Sequence, residues 1–458
     1  MESRCGVPLG EDGASAVSDA GGARQAGADS RLVRAIGTWG LAAAIVNVTV
    51  GGGIFRLPSG VASSLGAAAP LAYLVCAGAM ALFVICFADA GSRVSMTGGP
   101  YAYVETAFGP FIGFLSGALL WVGMTLAVAA VATFFADSVL ALVPSIGVAG
   151  KRVVLVVALM ALAAANARGV REVTRFNTVT TVAKLLPLLL LVLVGAFAMR
   201  GENLRWTADP GAGEVARASL LLLFAFLGVE SALVPSGEVK EPSRTVPRAI
   251  FLAMSAVAIL YVAVQVVAQG VLGNALAGDP TPLASAAAVA MGPAGRTLIL
   301  VGSVISGFGY VSGMTLATPR MLFAFGRDGF LPAPLAGVHP TWRTPLVAIA
   351  VQTPIVVVLA LFGNFEVLAV ASNVTILLVY GGCCLAAVEL RRRGVQGGGI
   401  PFRVPGTRIA PWLALGVIAW LLWGLTAKEW LAAGIIVTVA ATIFVVTIPS
   451  RRARVAGP

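Results

Sequence analysis

The chain has 458 residues, of which 58% are hydrophobic and only 11% charged, with a mean hydropathy of +0.94. Soluble domains contain about 45–50% apolar and about 25% charged residues, so a water-soluble fold is excluded because it could not bury this much apolar surface. A net charge of +11 would suit a nucleic-acid binder, so the positions of the 31 Lys and Arg residues must decide between nucleic acid and membrane.

Long apolar stretches recur from one end of the chain to the other. A helix needs about 20 mostly apolar residues to cross about 30 Å of hydrocarbon. The sequence predicts twelve such spans, at 36–62, 67–91, 108–142, 153–167, 176–199, 215–236, 249–272, 297–325, 345–362, 366–388, 409–426 and 430–449. The expected fold class is therefore an all-α integral membrane protein with twelve transmembrane helices.

The basic residues support this count independently. If the N-terminus is cytoplasmic, 22 of the 31 Lys and Arg residues lie in inside segments and seven in outside segments, while Arg56 and Lys184 lie within spans. This asymmetry is the positive-inside bias of multi-pass membrane proteins. We therefore expect both termini in the cytoplasm, a location in the plasma or inner cell membrane, contact with the lipid bilayer and no nucleic-acid partner.

The remaining composition sets the domain limits and excludes several kinds of site. Residues 1–30 have no apolar run and are predicted to form a disordered cytoplasmic tail, residues 31–450 the transmembrane domain, and residues 451–458 a second cytoplasmic tail. The spans contain no pair of carboxylates, no His or Cys cluster and no nucleophile beside a base. A nucleotide-binding Walker motif is absent too. We expect no enzymatic activity, no cofactor and no metal.

The first span is predicted to be broken in its middle, at Gly51, Gly52 and Gly53. Three successive glycines remove the side-chain packing that steadies a helix. A broken helix persists inside a membrane where its backbone lines a cavity, because lost hydrogen bonds are not replaced by water there. The alternative is close packing between helices through small residues.

The sixth span shows a second interruption, with Gly228 at its centre and Glu230 two residues later. Interrupted spans at corresponding places in two halves indicate an inverted-repeat transporter with its site at the membrane midplane. Here the repeats would cover 36–199 and 215–388, with extra helices at 409–449. At such breaks free N–H groups attract an anion and free carbonyls a cation, so a zwitterion such as an amino acid suits both.

Several motifs now agree in order with one family. They are the Gly-Gly-Gly-Ile-Phe at 51–55, the Gly-Gly-Pro-Tyr-Ala-Tyr at 98–103, the Phe-Ala-Phe-Leu-Gly-Val-Glu at 224–230 and the Phe-Gly-Arg-Asp-Gly at 325–329. Over residues 36–449 the chain resembles the amino acid-polyamine-organocation transporters. The resemblance implies a LeuT-type fold, with two inverted five-helix repeats and two peripheral helices, and transport of amino acids or related amines.

The resemblance also implies a substrate site. Backbone amides at Gly52 and Gly53 would hold a carboxylate, and carbonyls near Thr49, Phe224 and Leu227 would receive the amino group. Phe224 would be an aromatic lid over the substrate. The expected substrate-binding residues are Thr49, Gly51, Gly52, Gly53, Phe224, Leu227 and Gly228.

Lys184 is an intramembrane cation and a candidate for coupling. In sodium-independent relatives a lysine at this place stands where a sodium ion would otherwise sit, bridging the first and eighth helices. The resemblance therefore implies proton coupling or ion-independent exchange. We hypothesise that Lys184 loses and regains a proton during the cycle, the alternative being a lysine that reaches to the cytoplasmic interface.

Two further charged residues lie beside the breaks. Glu230 is predicted either to carry a proton or hold the outer gate, or to clamp the broken helix through hydrogen bonds. Arg56 departs from the family pattern, in which an apolar residue follows Ile-Phe. Unpaired, its charge would disfavour cationic substrates, whereas pairing with Glu230 or Glu366 would remove that inference.

These observations favour a secondary active transporter of amino acids or related amines that works by alternating access, with proton coupling. The alternatives are an exchanger without ion coupling and a ligand sensor built on a transporter fold. A channel is disfavoured because channel filters use rings of like groups, whereas these breaks come as one pair per chain.

Overall fold

The computed structural model describes residues 36–94, 99–168, 173–206, 209–233, 239–396 and 406–456. Within these residues the only β-structure is an isolated bridge between Ile36 and Val239, so the predicted all-α class is confirmed. The tail predicted at 1–30 lies outside the described residues, as do the last residues of the sixth predicted span, 234–236.

The α-helices of the described residues are numbered here in chain order. They are α1 (Thr38–Thr49), α2 (Gly53–Leu65), α3 (Ala69–Arg93), α4 (Pro100–Phe108), α5 (Pro110–Leu142), α6 (Gly147–Arg168), α7 (Val173–Gly195), α8 (Ala212–Phe226), α9 (Val229–Ala232), α10 (Pro242–Leu272), α11 (Pro282–Arg327), α12 (Leu346–Phe362), α13 (Phe365–Arg392), α14 (Ala410–Trp423) and α15 (Ala427–Ala456).

Many of these helices have the length and composition of membrane spans. Seven helical stretches of the described chain qualify, namely Gly53–Arg93, Pro110–Leu142, Pro144–Arg168, Ser243–Leu276, Pro282–Arg327, Phe365–Arg392 and Ala427–Thr447. Shorter apolar helices occur at Thr38–Thr49, Ala183–Ala198, Leu346–Phe362 and Ala410–Trp423. The protein is thus a multi-pass membrane protein.

Several helix limits differ from those predicted. α6 begins at Gly147 rather than at 153, and α15 continues to Ala456 rather than ending at 449. α11 begins at Pro282 rather than at 297, with a kink at Gly292, where φ is 70°. The helices extend beyond the predicted spans there because small and polar residues at helix ends lower the hydropathy without ending the helix.

The centre of the molecule is formed by α5 and α13, whose apolar faces are largely buried. α6 and α15 are mostly exposed and lie at the periphery. α5 also packs against α11, and α2 packs against α8. The two interrupted helices, α1 with α2 and α8 with α9, are therefore surrounded by long helices.

Candidate functional site

The first helix break occupies residues 50–52, between the end of α1 at Thr49 and the start of α2 at Gly53. The Gly51 N–H turns back to the Thr49 carbonyl (2.8 Å), and the Phe55 N–H bonds the Gly52 carbonyl (3.2 Å). Within the described residues the amides of Gly52 and Gly53 have no hydrogen-bond partner. These free N–H groups stand at the positive end of the α2 dipole, which favours an anion.

The second break separates α8 from α9 at Leu227 and Gly228. Leu227 is extended, and Gly228 has a φ of 128°, a conformation that favours glycine. The Gly228 N–H donates to both carboxylate oxygens of Glu230, at 3.0 and 3.1 Å, and the Tyr380 hydroxyl donates to Glu230 Oε2 at 2.6 Å. Glu230 therefore holds the second break in shape and ties it to α13.

The two breaks touch through their backbones. A Cβ built on Gly228 would lie 3.1 Å from the Cα and the nitrogen of Thr49. A Cβ built on Gly53 would lie 3.0 Å from the Cα of Ala225. No side chain separates the two broken helices at these points, so glycine is required at both for this close approach.

A cavity of about 400 Å³, including its opening, lies beside both breaks. Its lining residues are Gly51, Gly52, Gly53, Gly123, Met124, Ala127, Val131, Phe224, Leu227, Glu230, Tyr310, Met314, Ser372 and Ile376. The structure thus brings five predicted binding residues and Glu230 together, whereas Thr49, Gly228, Arg56 and Lys184 lie outside the lining.

The backbone carbonyls at the breaks differ in their availability. The Thr49 carbonyl accepts hydrogen bonds from the Tyr261 hydroxyl (3.0 Å) and the Gly51 N–H (2.8 Å), so it already has two donors. The Phe224 carbonyl lacks its helical donor, because the Gly228 N–H four residues further on bonds Glu230 instead. Of the three carbonyls predicted to receive an amino group, that of Phe224 is therefore available, whereas that of Thr49 is occupied.

Phenylalanines cover the cavity on one side. The rings of Phe224 and Phe365 meet edge to face at 5.4 Å, and those of Phe134 and Phe365 lie 6.2 Å apart. Phe134 lies directly over Gly52, 2.5 Å from an ideal Cβ there. A second cavity beyond these rings is lined by Phe55, Phe134 and Phe365 among others. Sequence reasoning identified Phe224 but missed Phe134 and Phe365, which no motif distinguishes from other span phenylalanines.

Lys184 contacts the first broken helix. Its side chain is buried, with 2% of its surface exposed, and its ammonium group donates to the Asn47 carbonyl in the last turn of α1 at 2.5 Å. Within the described residues it makes no hydrogen bond to α11. α11 reaches the break through the Ser306 hydroxyl, 3.5 Å from the Val50 carbonyl. The resemblance implied that Lys184 bridges the first and eighth membrane helices. In the described residues its hydrogen bond goes to the first of these, at Asn47 on α1.

Arg56 lies on α2 and lines the second cavity. Its Nε and Nη2 atoms are both 3.1 Å from Glu366 Oε1, and its Nη1 donates to the Pro280 carbonyl at 2.8 Å. Of the two partners considered for it, the structure selects Glu366 and not Glu230. Because its charge is paired, Arg56 gives no information on the charge of the substrate.

The described residues contain no group of three or more His, Cys, Asp or Glu side chains able to hold a metal ion. The polar groups at the breaks are backbone amides, backbone carbonyls and one carboxylate that is held by hydrogen bonds. Such groups can bind and release a small zwitterion without any covalent step.

The chain also resembles known proteins over most of its length. The model of the family described as "Amino acid permease" matches residues 36–456. The methylthioribose transporter of Bacillus subtilis is 27% identical over 90% of this chain and 93% of its own length. From the same organism, the serine/threonine exchanger SteT is 26% identical over 84% of this chain and 90% of its own. The branched-chain amino acid permease BcaP, also from B. subtilis, is 26% identical over 84% and 87%.

The family match covers both helix breaks, the cavity between them and the phenylalanines above it. The three relatives are named as a transporter, an exchanger and a permease, and none as an enzyme. The chain belongs to the amino acid permease family and is a membrane transporter.

Proposed function

We propose that the protein is a secondary active transporter of amino acids or related amines that works by alternating access around the two helix breaks. Its twelve predicted spans would form two inverted five-helix repeats and two peripheral helices, with both termini cytoplasmic. The positive-inside bias supports this orientation in the plasma or inner cell membrane. The observation that carries the proposal is the pair of free amides, at Gly52 and Gly53, beside the free carbonyl of Phe224 in one cavity.

Both ends of an amino acid find complementary groups in this arrangement. The substrate carboxylate accepts hydrogen bonds from the Gly52 and Gly53 amides and gains from the positive end of α2. The ammonium group donates to the carbonyls of Phe224 and Leu227 and lies near the Glu230 carboxylate. Because the recognising groups are mostly backbone, they select a class of substrate by its main chain and not by its side chain.

Alternating access requires the cavity to open to each side of the membrane in turn. We assign the outer closure to Phe134, Phe224 and Phe365, whose rings separate the two cavities. The ion pair of Arg56 with Glu366 joins α2 to α13 just beyond these rings. It acts as an outer gate, because separating α2 from α13 must break it.

Lys184 supplies the proton coupling in this proposal. Its protonated side chain makes a charge-assisted hydrogen bond that ties α7 to the last turn of α1, next to the break. A neutral amine holds the Asn47 carbonyl less strongly, so loss of the proton frees α1 to move. Because a buried ammonium group is costly in a membrane, its protonation responds to the state of the site around it.

Exchange without ion coupling is a second candidate function. One relative is named a serine/threonine exchanger, which favours this mode. Lys184 would then be a permanent cation that fixes the first break, and net movement of one amino acid would require return of another. The binding of substrate at the breaks is the same in both modes.

The test uses purified protein in sealed proteoliposomes and a panel of radiolabelled amino acids. Uptake is measured with an inward proton gradient, with the unlabelled amino acid inside and no gradient, and with neither. Accumulation with the gradient alone supports proton-coupled transport, and uptake only with internal amino acid supports exchange. Binding without flux indicates a sensor, and flux that does not saturate indicates a channel; either result contradicts the proposal.

A further inference from the structure

The lining of the cavity continues beyond the helix breaks along α5 and α11. Along α5 its lining runs from Val131 back to Gly123, about 12 Å at the rise of an α-helix. Along α11 it runs forward from Tyr310, whose ring packs on Gly51, to Met314 one turn further. The phenylalanines close the opposite side, so a substrate held at the breaks must direct its side chain towards Gly123 and Met314.

This extension, which we call the side-chain pocket, is apolar. It is lined by Gly123, Met124, Ala127, Met314 and Ile376, and each of the four side chains among them is buried within the protein. In the part of the chain that the structure describes, no charged side chain lines this pocket other than Glu230 at the break.

The few polar groups near the pocket offer no counter-charge to a substrate side chain. The Ser372 hydroxyl donates its hydrogen bond to the Gly123 carbonyl at 2.8 Å, so its proton is not available to a substrate. The Glu230 carboxylate lies beside the break, and both of its oxygens already accept hydrogen bonds from the Gly228 N–H and the Tyr380 hydroxyl. A second cation in the pocket would therefore remain unpaired, and burying an unpaired charge is strongly unfavourable.

We infer that the side-chain pocket selects neutral amino acids with an apolar aliphatic or thioether side chain and rejects acidic and basic ones. This inference rests on the proposed function. Methionine side chains adapt to differently shaped apolar groups, so Met124 and Met314 allow several such substrates. Ala127 limits the width of the pocket, and a larger residue there restricts it to small substrates.

The test compares substrates and variants in the same counterflow measurement. In the wild type, unlabelled leucine, isoleucine, valine and methionine should compete with labelled leucine, while arginine, lysine, aspartate and glutamate should not. Ala127→Leu should lower methionine and leucine uptake relative to alanine uptake by roughly 10- to 100-fold, since one methylene in an apolar pocket has an effect of this order. Ala164→Leu, at an exposed position on α6, is the matched control and should leave the ratio unchanged.

A second variant protects the test against a folding failure of Ala127→Leu. Met314→Ala removes atoms from the pocket and should raise the uptake of phenylalanine relative to leucine. The pocket assignment would be overturned if the wild type transported arginine or glutamate as well as leucine. It would also be overturned if neither variant changed its ratio of substrate uptake relative to the wild type. Either result would leave the transporter proposal intact. If the wild type exchanges no amino acid, and none raises its melting temperature in detergent, both proposals fail.

Discussion

Gly228 and Thr49 meet backbone to backbone, since a Cβ on Gly228 would lie 3.1 Å from the Thr49 Cα and nitrogen. The residues belong to different helix breaks and are far apart in sequence. Their contact places the free amides at the start of α2 and the free Phe224 carbonyl near the end of α8 beside one cavity. The close approach of the two breaks is therefore the structural basis of the site.

Gly228→Ala should abolish transport. The new methyl group would contact the Thr49 backbone, and a φ of 128° is unfavourable for alanine, with a cost of roughly 1–3 kcal/mol for such backbone strain. Uptake in proteoliposomes and thermal unfolding in detergent measure the two effects. Gly434→Ala, in an exposed helical position with no atom within 4 Å of the new methyl group, serves as the control. Normal uptake by Gly228→Ala would show that the breaks can separate without loss of function.

Glu230→Gln should keep most of the transport activity, whereas Glu230→Ala should lose it. A glutamine oxygen can still accept a hydrogen bond from Gly228 or Tyr380, while alanine leaves both donors unsatisfied in the protein interior. Each unsatisfied buried group costs about 1–3 kcal/mol. Initial rates of uptake distinguish the variants. Complete loss of proton-driven uptake in Glu230→Gln, with counterflow retained, would instead assign the proton to Glu230.

Lys184→Ala and Lys184→Arg should both lose accumulation driven by a proton gradient. Alanine cannot bond the Asn47 carbonyl, and arginine retains its charge at all accessible pH values, so neither can cycle a proton. Lys184→Arg should also lose counterflow, because a permanently charged side chain keeps its hold on the Asn47 carbonyl and α1 is not freed to move. Uptake is measured at a fixed internal pH with and without an inward gradient. Concentrative, pH-dependent uptake by Lys184→Ala at the wild-type level would exclude Lys184 from coupling.

Glu366→Gln should open the outer side of the cavity without unfolding the protein. The paired side chains of Arg56 and Glu366 are 28% and 42% exposed, and such surface pairs contribute only about 0–1 kcal/mol to stability. The melting temperature should therefore stay near that of the wild type. A cysteine introduced at Ser138, in the second cavity, should react faster with an impermeant thiol reagent from outside in the Glu366→Gln background.

The exchanged pair Arg56→Glu with Glu366→Arg provides the control for this gate. It restores an ion pair between α2 and α13, so the reaction rate of the introduced cysteine should return towards the wild-type rate. If the rate is the same in all three backgrounds, the ion pair does not control access from the outside.

The sequence was sufficient to predict the two breaks. Glycine runs and central glycines inside apolar spans are costly unless the backbone lines a cavity, so the positions of Gly51, Gly52, Gly53 and Gly228 were informative. The all-helical membrane fold followed from the long apolar stretches. In lipid every backbone N–H and C=O group must find its hydrogen-bond partner within the protein, and a helix provides these partners within a single span. These features depend on residues close together in the chain.

Features that depend on contacts between distant residues were not predictable. Arg56 had two candidate partners, and only the three-dimensional fold, which brings its side chain to the start of α13, selects Glu366, 310 residues away. Phe134, Met314 and Ile376 lie in spans with many other apolar residues, and Phe365 lies between two predicted spans, so composition cannot show which of them face a cavity.

The most direct test of the account is counterflow of labelled leucine into proteoliposomes that contain unlabelled leucine, for the wild type and Gly53→Val. A valine side chain at position 53 would press on the Ala225 backbone and the Phe224 ring and cover the free amides. Gly78→Val, at an exposed position of α3 with no atom within 4 Å, is the control. We predict saturable counterflow in the wild type and the control and none in Gly53→Val; wild-type counterflow in Gly53→Val would contradict a substrate site at the first break.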